Sequence, residues 1–358
     1  MSAAVRVLVI DDSALMRKLI PQILAQDPSI EVVGTAMDGE FGLKKIEELH
    51  PQVVTLDLEM PRMDGMETLR QIMRRYKLPV IVVSAHTTSG ASATFKALAL
   101  GAFDFVAKPR DAVSAHMDDI AEELVSKIKM AASSQPRMAT ASQPARVLKP
   151  ISNKAKLPPS KLIAIGISTG GPNALQYMLA ELPSDFPGAI AVVQHMPEGF
   201  TEMFARRLDD SCAIEVKEAQ SGDMLIAGRV LICPGNKHLR VKRMALGDMV
   251  VLGDDAPING HRPSVDVFFH SVAQEFGPHA VGVIMTGMGE DGAEGLGAMQ
   301  GAGALTIAQD EQSCVVYGMP KVAMERGYAD RVVSLELMAN TLRAQCAVEQ
   351  HRVATVTR

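Results

Sequence analysis

The sequence predicts an α/β protein made of two doubly wound parallel-sheet domains joined by a linker. Three observations predict it. Short apolar runs alternate with helical patterns through residues 1–130, and the same alternation resumes over 161–350. Between them, residues 131–160 hold five prolines, many Ala and Ser, and no acidic side chain, a composition typical of a semi-extended linker. The length of 358 residues suits about two domains at roughly 150 residues each.

The elements follow in order. In the first domain, strands are expected at Val5–Ile10, Ile30–Ala36, 53–58, Val80–Ser84 and 103–107. Leu15, Leu19 and Ile23 recur at helical spacing, as do Phe41, Ile46 and Leu49 more loosely, and Pro21 should kink the first helix. In the second domain, Leu162–Ile167, 190–194, 229–233, 281–286 and 304–308 read as strands. Residues 173–182 and 292–300 read as helices, and 240–252 as a β-hairpin turning at Gly247-Asp248.

Charge narrows the function classes. The chain carries −5 overall, divided as −3 over 1–130, +5 over 131–160 and −7 over 161–358. That balance argues against a chain built mainly to bind nucleic acid or an anionic membrane surface. The apolar runs stop far short of the roughly 18 residues a membrane span needs. The first of them meets Asp11 and Asp12 at once, so it reads as a buried strand rather than a signal peptide. Cys212, Cys233, Cys314 and Cys346 form no C-x-x-C pair, which favours reduced thiols and a cytoplasmic location.

Ligands of doubly wound sheets gather at the carboxyl ends of the strands. Asp11 and Asp12 end the first strand, Asp57 the third, Ser84 the fourth, and Lys108-Pro109 the fifth. Crowded carboxylates repel, and a hard divalent cation relieves that repulsion. A lysine opposite them would neutralise added negative charge, and a hydroxyl could donate to a phosphoryl oxygen. This set, with Met60-Pro61-Arg62-Met63-Asp64-Gly65 after the third strand, resembles the flavodoxin-like receiver domain of two-component response regulators over residues 3–125. The resemblance implies that Asp57 is the phosphoacceptor. It implies that Asp11, Asp12, Asp57 and the Glu59 backbone carbonyl hold Mg²⁺, that Ser84 and Lys108 contact the phosphoryl oxygens, and that Phe105 is the switch aromatic.

In the second domain, Ile165-Gly166-Ile167-Ser168-Thr169-Gly170-Gly171-Pro172-Asn173 runs from a strand through a glycine-rich turn into a helix. A phosphate-binding loop, a tight turn with a structural serine and a catalytic nucleophile are the three readings. The first lacks both G-x-G-x-x-G and a Walker lysine. A nucleophilic serine needs a base, and the base an orienting acid. His195 ends the next apolar strand and Asp291 follows another, so three strand ends bring Ser, His and Asp to one rim. His238 lies in a turn, His270 in an apolar helical run and His279 in a loop; His261 is a candidate to line the cleft. The order Ser, His, Asp is not that of an α/β-hydrolase, despite the G-x-S-x-G.

A receiver, a basic linker, then G-x-S-T-G-G-P, Q-H-M and T-G-M-G-x-D-G-A together resemble the chemotaxis protein-glutamate methylesterases over nearly the whole chain. The resemblance implies a Rossmann-like catalytic domain with a triad of Ser168, His195 and Asp291. Thr169, Gly170 and Met288 are candidates to support the oxyanion. It implies hydrolysis of glutamyl methyl esters on chemoreceptor cytoplasmic helices, deamidation of receptor glutamines, and a chemotaxis histidine kinase as phosphodonor. No nucleic-acid partner, membrane insertion or cofactor for hydrolysis is expected, and Mg²⁺ serves the receiver alone. The competing class is a response regulator whose output domain binds a partner protein without catalysis.

Overall fold

The structure, a computed structural model, describes residues 4–61, 63–85, 87–108, 117–133 and 158–356. The chain divides into two compact units, Met1–Ser142 and Gln143–Arg358. Pro109, Arg62 and residues 134–157 of the expected linker lie outside the described residues. Residues 131–133, also expected in the linker, complete a helix.

The first unit alternates β1 (Val5–Ile10), α1 (Met16–Leu24), β2 (Ile30–Ala36), α2 (Gly39–Leu49) and β3 (Val53–Asp57). It continues with α3 (Gly65–Arg75), β4 (Val80–Ser84), α4 (Thr88–Ala99), β5 (Asp104–Ala107) and α5 (Met117–Ser133). All pairings are parallel, in the order β2-β1-β3-β4-β5. The central strands are buried on both faces, which is why they read as continuous apolar runs. Helix entries are written in the sequence: Asp38, Asp64 and Thr87 each accept from the backbone N–H three residues on. The expected apolar stripes need correction. Leu15 and Phe41 are exposed, while Ile20, Ile23 and Leu24 face inward from α1 and Gly42, Leu43 and Ile46 from α2. Leu15 and Phe41 sit at the first turns, where the helices meet solvent.

The second unit contains β6 (Leu162–Ile167), α6 (Gly171–Ala180), β7 (Ala189–Gln194), α7 (Thr201–Ser211), β8 (Glu215–Glu218), β9 (Arg229–Ile232), β10 (His238–Lys242) and β11 (Met249–Gly253). Then come α8 (Val265–Phe276), β12 (Ala280–Ile284), α9 (Ala293–Gly301), β13 (Leu305–Gln309), α10 (Met319–Glu325), β14 (Arg331–Val333) and α11 (Leu335–Val356). Seven parallel strands run β14-β13-β12-β6-β7-β9-β8, and β10 and β11 form the expected antiparallel hairpin, although their register centres the turn on Ala245-Leu246 rather than on Gly247-Asp248. Strands β8 and β14 were not foreseen. They are the short sheet edges, one with Glu215, Lys217 and Glu218 around Val216, the other with only three residues. Charged, short edges discourage further strand pairing and carry little apolar signal.

Strand β6 lies between β12 and β7, so the strand order reverses there. Ile167 pairs with Gln194 and Gly166 with Ile284. The residues that leave these strands, beginning at Ser168, His195 and Met285, therefore start side by side at the carboxyl edge, where ligands of such sheets bind. Among the described residues no helix is long and apolar enough to cross a membrane.

Candidate functional site

In the first unit, β1 and β3 are neighbours, which sets Asp11 beside Asp57. Carboxylate oxygens of Asp11, Asp12 and Asp57 lie within 4.8 Å of one another. Asp11 and Asp57 are buried and Asp12 is exposed. Lys108 Nζ donates to Asp57 Oδ2 at 2.7 Å and stands 3.1 Å from Asp11 Oδ2. Burial pushes the Asp11 carboxyl up, as does the Asp57 charge, against the pull of Lys108. Burial opposes the Lys108 ammonium, but the two carboxylates outweigh it and raise its pKa. Asp11 Oδ2, though buried, accepts no hydrogen bond of good geometry among the described residues. Three carboxylates crowded this closely fit a hard divalent cation.

Glu59, exposed, donates its N–H to Asp57 Oδ1 at 3.2 Å. Ser84 is buried, and its hydroxyl donates to Gly90 O at 3.2 Å, on the α4 side of its strand. Phe105 is buried too, edge-on to Phe95 at 6.4 Å. The expected switch aromatic thus already occupies an inward position.

In the second unit the chain turns sharply after β6. Gly170 has φ 76°, and a side chain there would press on Val315, so both backbone and space require glycine. Ser168, half-buried, donates its N–H to Thr286 O at 3.0 Å, and its own carbonyl accepts from Gly171 N at 2.8 Å. Thr169 is buried, and its carbonyl accepts from the Thr286 hydroxyl at 2.9 Å. Gly287 packs directly on Ser168, so half-buried Met288 follows immediately beside the turn.

His195 and Asp291 meet: Nε2 lies 2.8 Å from Asp291 Oδ2. Asp291 is buried, and its carboxylate also rests on the first turn of α8. It accepts from Ser264 Oγ at 2.8 Å, Val265 N at 2.7 Å and Asp266 N at 3.2 Å. A helix N-terminus favours negative charge. Burial would raise this carboxyl, but the His195 contact, then the Val265 and Ser264 donors, outweigh it and hold the pKa at about 2. Asp291 therefore stays ionised and accepts a hydrogen bond from Nε2–H. That leaves Nδ1 as the basic nitrogen of His195. Ser168 Oγ makes no hydrogen bond with the described residues, and such bonds often tighten only once substrate is bound.

His261 lies flat against His195, with ring centroids 4.1 Å apart and planes 7° from parallel. A tight turn presents it: Ile258 and His261 exchange backbone hydrogen bonds around Asn259 and Gly260, both at positive φ.

Sequence reasoning missed several supporting residues. Gln194, 2 % exposed, donates through Nε2 to both Ser168 O and His195 O at 3.0 Å. His238, expected in a turn, is fully buried; its Nδ1 accepts from Ser264 N at 3.3 Å, and its Nε2 faces Ala256 O. Thr286 joins the nucleophile turn to Val315 and Val316, whose N–H groups both donate to its hydroxyl. A serine before an apolar helical run was the one available signal, for Ser264 as the α8 cap.

Comparison with known proteins agrees with this layout. A family model described as CheB methylesterase matches residues 163–342, and one described as response regulator receiver domain matches 7–117. A Koribacter versatilis protein named protein-glutamate methylesterase/protein-glutamine glutaminase 2 is 63% identical, covering 97% of each chain. A Halalkalibacterium halodurans protein named protein-glutamate methylesterase/protein-glutamine glutaminase is 46% identical over 97% of this chain and 99% of its own. The crystal structure of the Thermotoga maritima CheB methylesterase catalytic domain is 40% identical, with a TM-score of 0.51. It covers 52% of this chain and 98% of that one. With the fold and the full-length similarity in agreement, the chain belongs to the CheB methylesterase family, with a response regulator receiver domain ahead of its catalytic domain.

Proposed function

We propose that this protein is a phosphorylation-controlled serine hydrolase of chemotaxis adaptation. It removes methyl esters from specific glutamates of chemoreceptor helices, releasing methanol, and deamidates specific receptor glutamines. The observation that carries the reading is the ionised Asp291 held against His195 at the strand end beside Ser168.

Ser168 Oγ attacks the ester carbonyl while His195 Nδ1 takes its proton. Asp291 fixes the tautomer through Nε2 and steadies the imidazolium. Backbone donors aimed at the developing oxyanion each lower the barrier by about 3–4 kcal/mol in related chemistry. The N–H groups of Thr169, Gly170 and Met288 are the candidates. The proton on His195 passes to the departing methoxide, or to the amine leaving an amide. Water, deprotonated by the same nitrogen, then frees the glutamate, and Ser168 regains its proton. The product carboxylate adds negative charge to a receptor helix, which alters repulsion with its neighbours.

In the receiver, Asp57 accepts the phosphoryl group from a chemotaxis histidine kinase. Mg²⁺ held by Asp11, Asp12, Asp57 and the Glu59 carbonyl would screen the phosphoryl charge. Lys108 already stands on Asp57, and Ser84 must leave Gly90 O to reach a phosphoryl oxygen. The protein works in the cytoplasm, where receptor signalling domains and kinase are found.

Methanol release from methylated receptor membranes tests the reading. Wild type should release methanol faster with a small-molecule phosphodonor, and Asp57→Ala should keep the basal rate but lose the stimulation. Ser168→Ala should lose about 10⁴- to 10⁶-fold in rate without a change in melting temperature. Near-normal turnover by Ser168→Ala would favour an output domain that binds a partner without catalysis.

A further inference from the structure

We infer that Gln194 is a positioning residue that sets the spacing of nucleophile and base. This rests on the hydrolase reading of Ser168 and His195. Gln194 is the last residue of β7, paired with Ile167, so its side chain stands between the two strand exits. Its Nε2 spends both hydrogens on the carbonyls of Ser168 and His195. A carbonyl oxygen in that place would meet two other carbonyl oxygens, so the amide can face only one way. The contact ties together two backbones that are otherwise joined here by His195 N donating to Ile167 O.

The chain keeps room for this amide. A side chain at Gly171 would collide with Gln194 Oε1, so the second glycine of the turn admits the clamp. The residue touches no substrate atom. It acts through where Ser168 and His195 sit, and misplacement on the order of 1 Å costs about 100-fold in rate.

Two replacements separate positioning from simple support. Gln194→Met keeps the length and loses both donors. Gln194→Glu keeps the shape but sets a carboxylate against two carbonyls, and protonation restores one donor. Methanol release by the full-length protein from methylated receptor membranes would be measured from acidic to neutral pH, alongside labelling of Ser168 by a fluorophosphonate and thermal melting.

Both variants should lose about 100-fold in kcat with KM within about threefold, and label more slowly. The ratio of Gln194→Glu to wild type should rise as pH falls, while that of Gln194→Met stays flat. Gly171→Ala, which crowds the amide with Gln194 intact, should reproduce the kcat loss if a Gln194 variant folds poorly. Rates within threefold of wild type would overturn the inference, as would equal losses in both variants that follow melting temperature at every pH. A wild type that releases no methanol, or a Ser168→Ala variant that matches it, would instead overturn the hydrolase reading and this inference with it.

Discussion

Asp291→Asn is the sharpest single test of the site. The carboxylate takes four donors: His195 Nε2 and Val265 N on Oδ2, Ser264 Oγ and Asp266 N on Oδ1. An amide has one oxygen, so its NH₂ must replace one of these acceptors. Turned toward Oδ2, it leaves Val265 N–H unmet and offers a donor to His195 Nε2, which places the ring proton on Nδ1 and removes the base. Turned toward Oδ1, the Ser264 hydroxyl can rotate to accept, but Asp266 N–H is left unmet. Either way one buried N–H loses its partner, at about 1–3 kcal/mol. The lost charge matters separately. Holding the carboxyl at about 2 against an ordinary 3.8 corresponds to roughly 2–3 kcal/mol of interaction favouring the anion. Part of that interaction steadies the imidazolium, and with the tautomer trap the expected loss in kcat is about 10³- to 10⁴-fold. KM should hardly move, and melting should fall by about 2–4 °C per kcal/mol lost. Methanol release and calorimetry on the same preparation measure both. Ser264→Ala is the control: it removes one donor and the α8 cap, about 0.5–2 kcal/mol, and should cost less than tenfold in rate. Asp291→Asn within tenfold of wild type would refute the assignment of Asp291 as the orienting acid.

His261→Ala removes a ring stacked on His195, an interaction of about 0.5–1.5 kcal/mol, so its loss should be about tenfold at most and far milder than His195→Ala. Equal losses in the two variants would reopen the choice of base. Because the folded Asp291 pKa is depressed, its contribution to stability is complete above 3.8 and disappears as pH falls toward about 2. Denaturant melts across that window should show a drop that Asp291→Asn lacks; parallel curves would contradict the depressed carboxyl. All four cysteines are buried, and burial pushes the Cys233 thiol up, so thiol reagents should leave native turnover unchanged. Complete inactivation of still-folded protein by such a reagent would count against a serine mechanism.

The strand-end chemistry was legible in the sequence because it depends on residues with strong local signals. An apolar run that breaks at Asp11, at Ser168 or at Gln194-His195 marks both the strand and its exit, and parallel pairing then fixes which exits are neighbours. The supports were not legible. Gln194 follows Val193 as an ordinary strand-end polar residue, and nothing local says that its amide spans two carbonyls. His238 looked like a turn residue because Pro-Gly-Asn-Lys precedes it, yet tertiary packing buries it under α8. Phe41 erred the other way: an aromatic at helical spacing faces solvent because Gly42, packed on Ile10 of β1, and Gly39, packed on Thr68 of α3, form the inner face of α2. Such placements depend on contacts between distant segments, which periodicity does not encode.

The motif Gly166-x-Ser168-x-Gly170 shows how one pattern can serve two unrelated demands. It reads like a nucleophile elbow, in which both glycines relieve crowding around the serine. Here Gly170 serves the turn itself, with its positive φ and its contact with Val315. A side chain at Gly166 would instead collide with Val265, and so would one at Gly292. Val265 is wedged between β6 and the start of α9, and that wedge brings the first turn of α8 down onto Asp291, where Val265 N and Ser264 Oγ donate. Gly166 thus acts on the acid rather than on the nucleophile. It permits the close helix approach that keeps Asp291 ionised and aimed at His195. The literal motif match was therefore uninformative about fold, and the Ser, His, Asp order was the better guide.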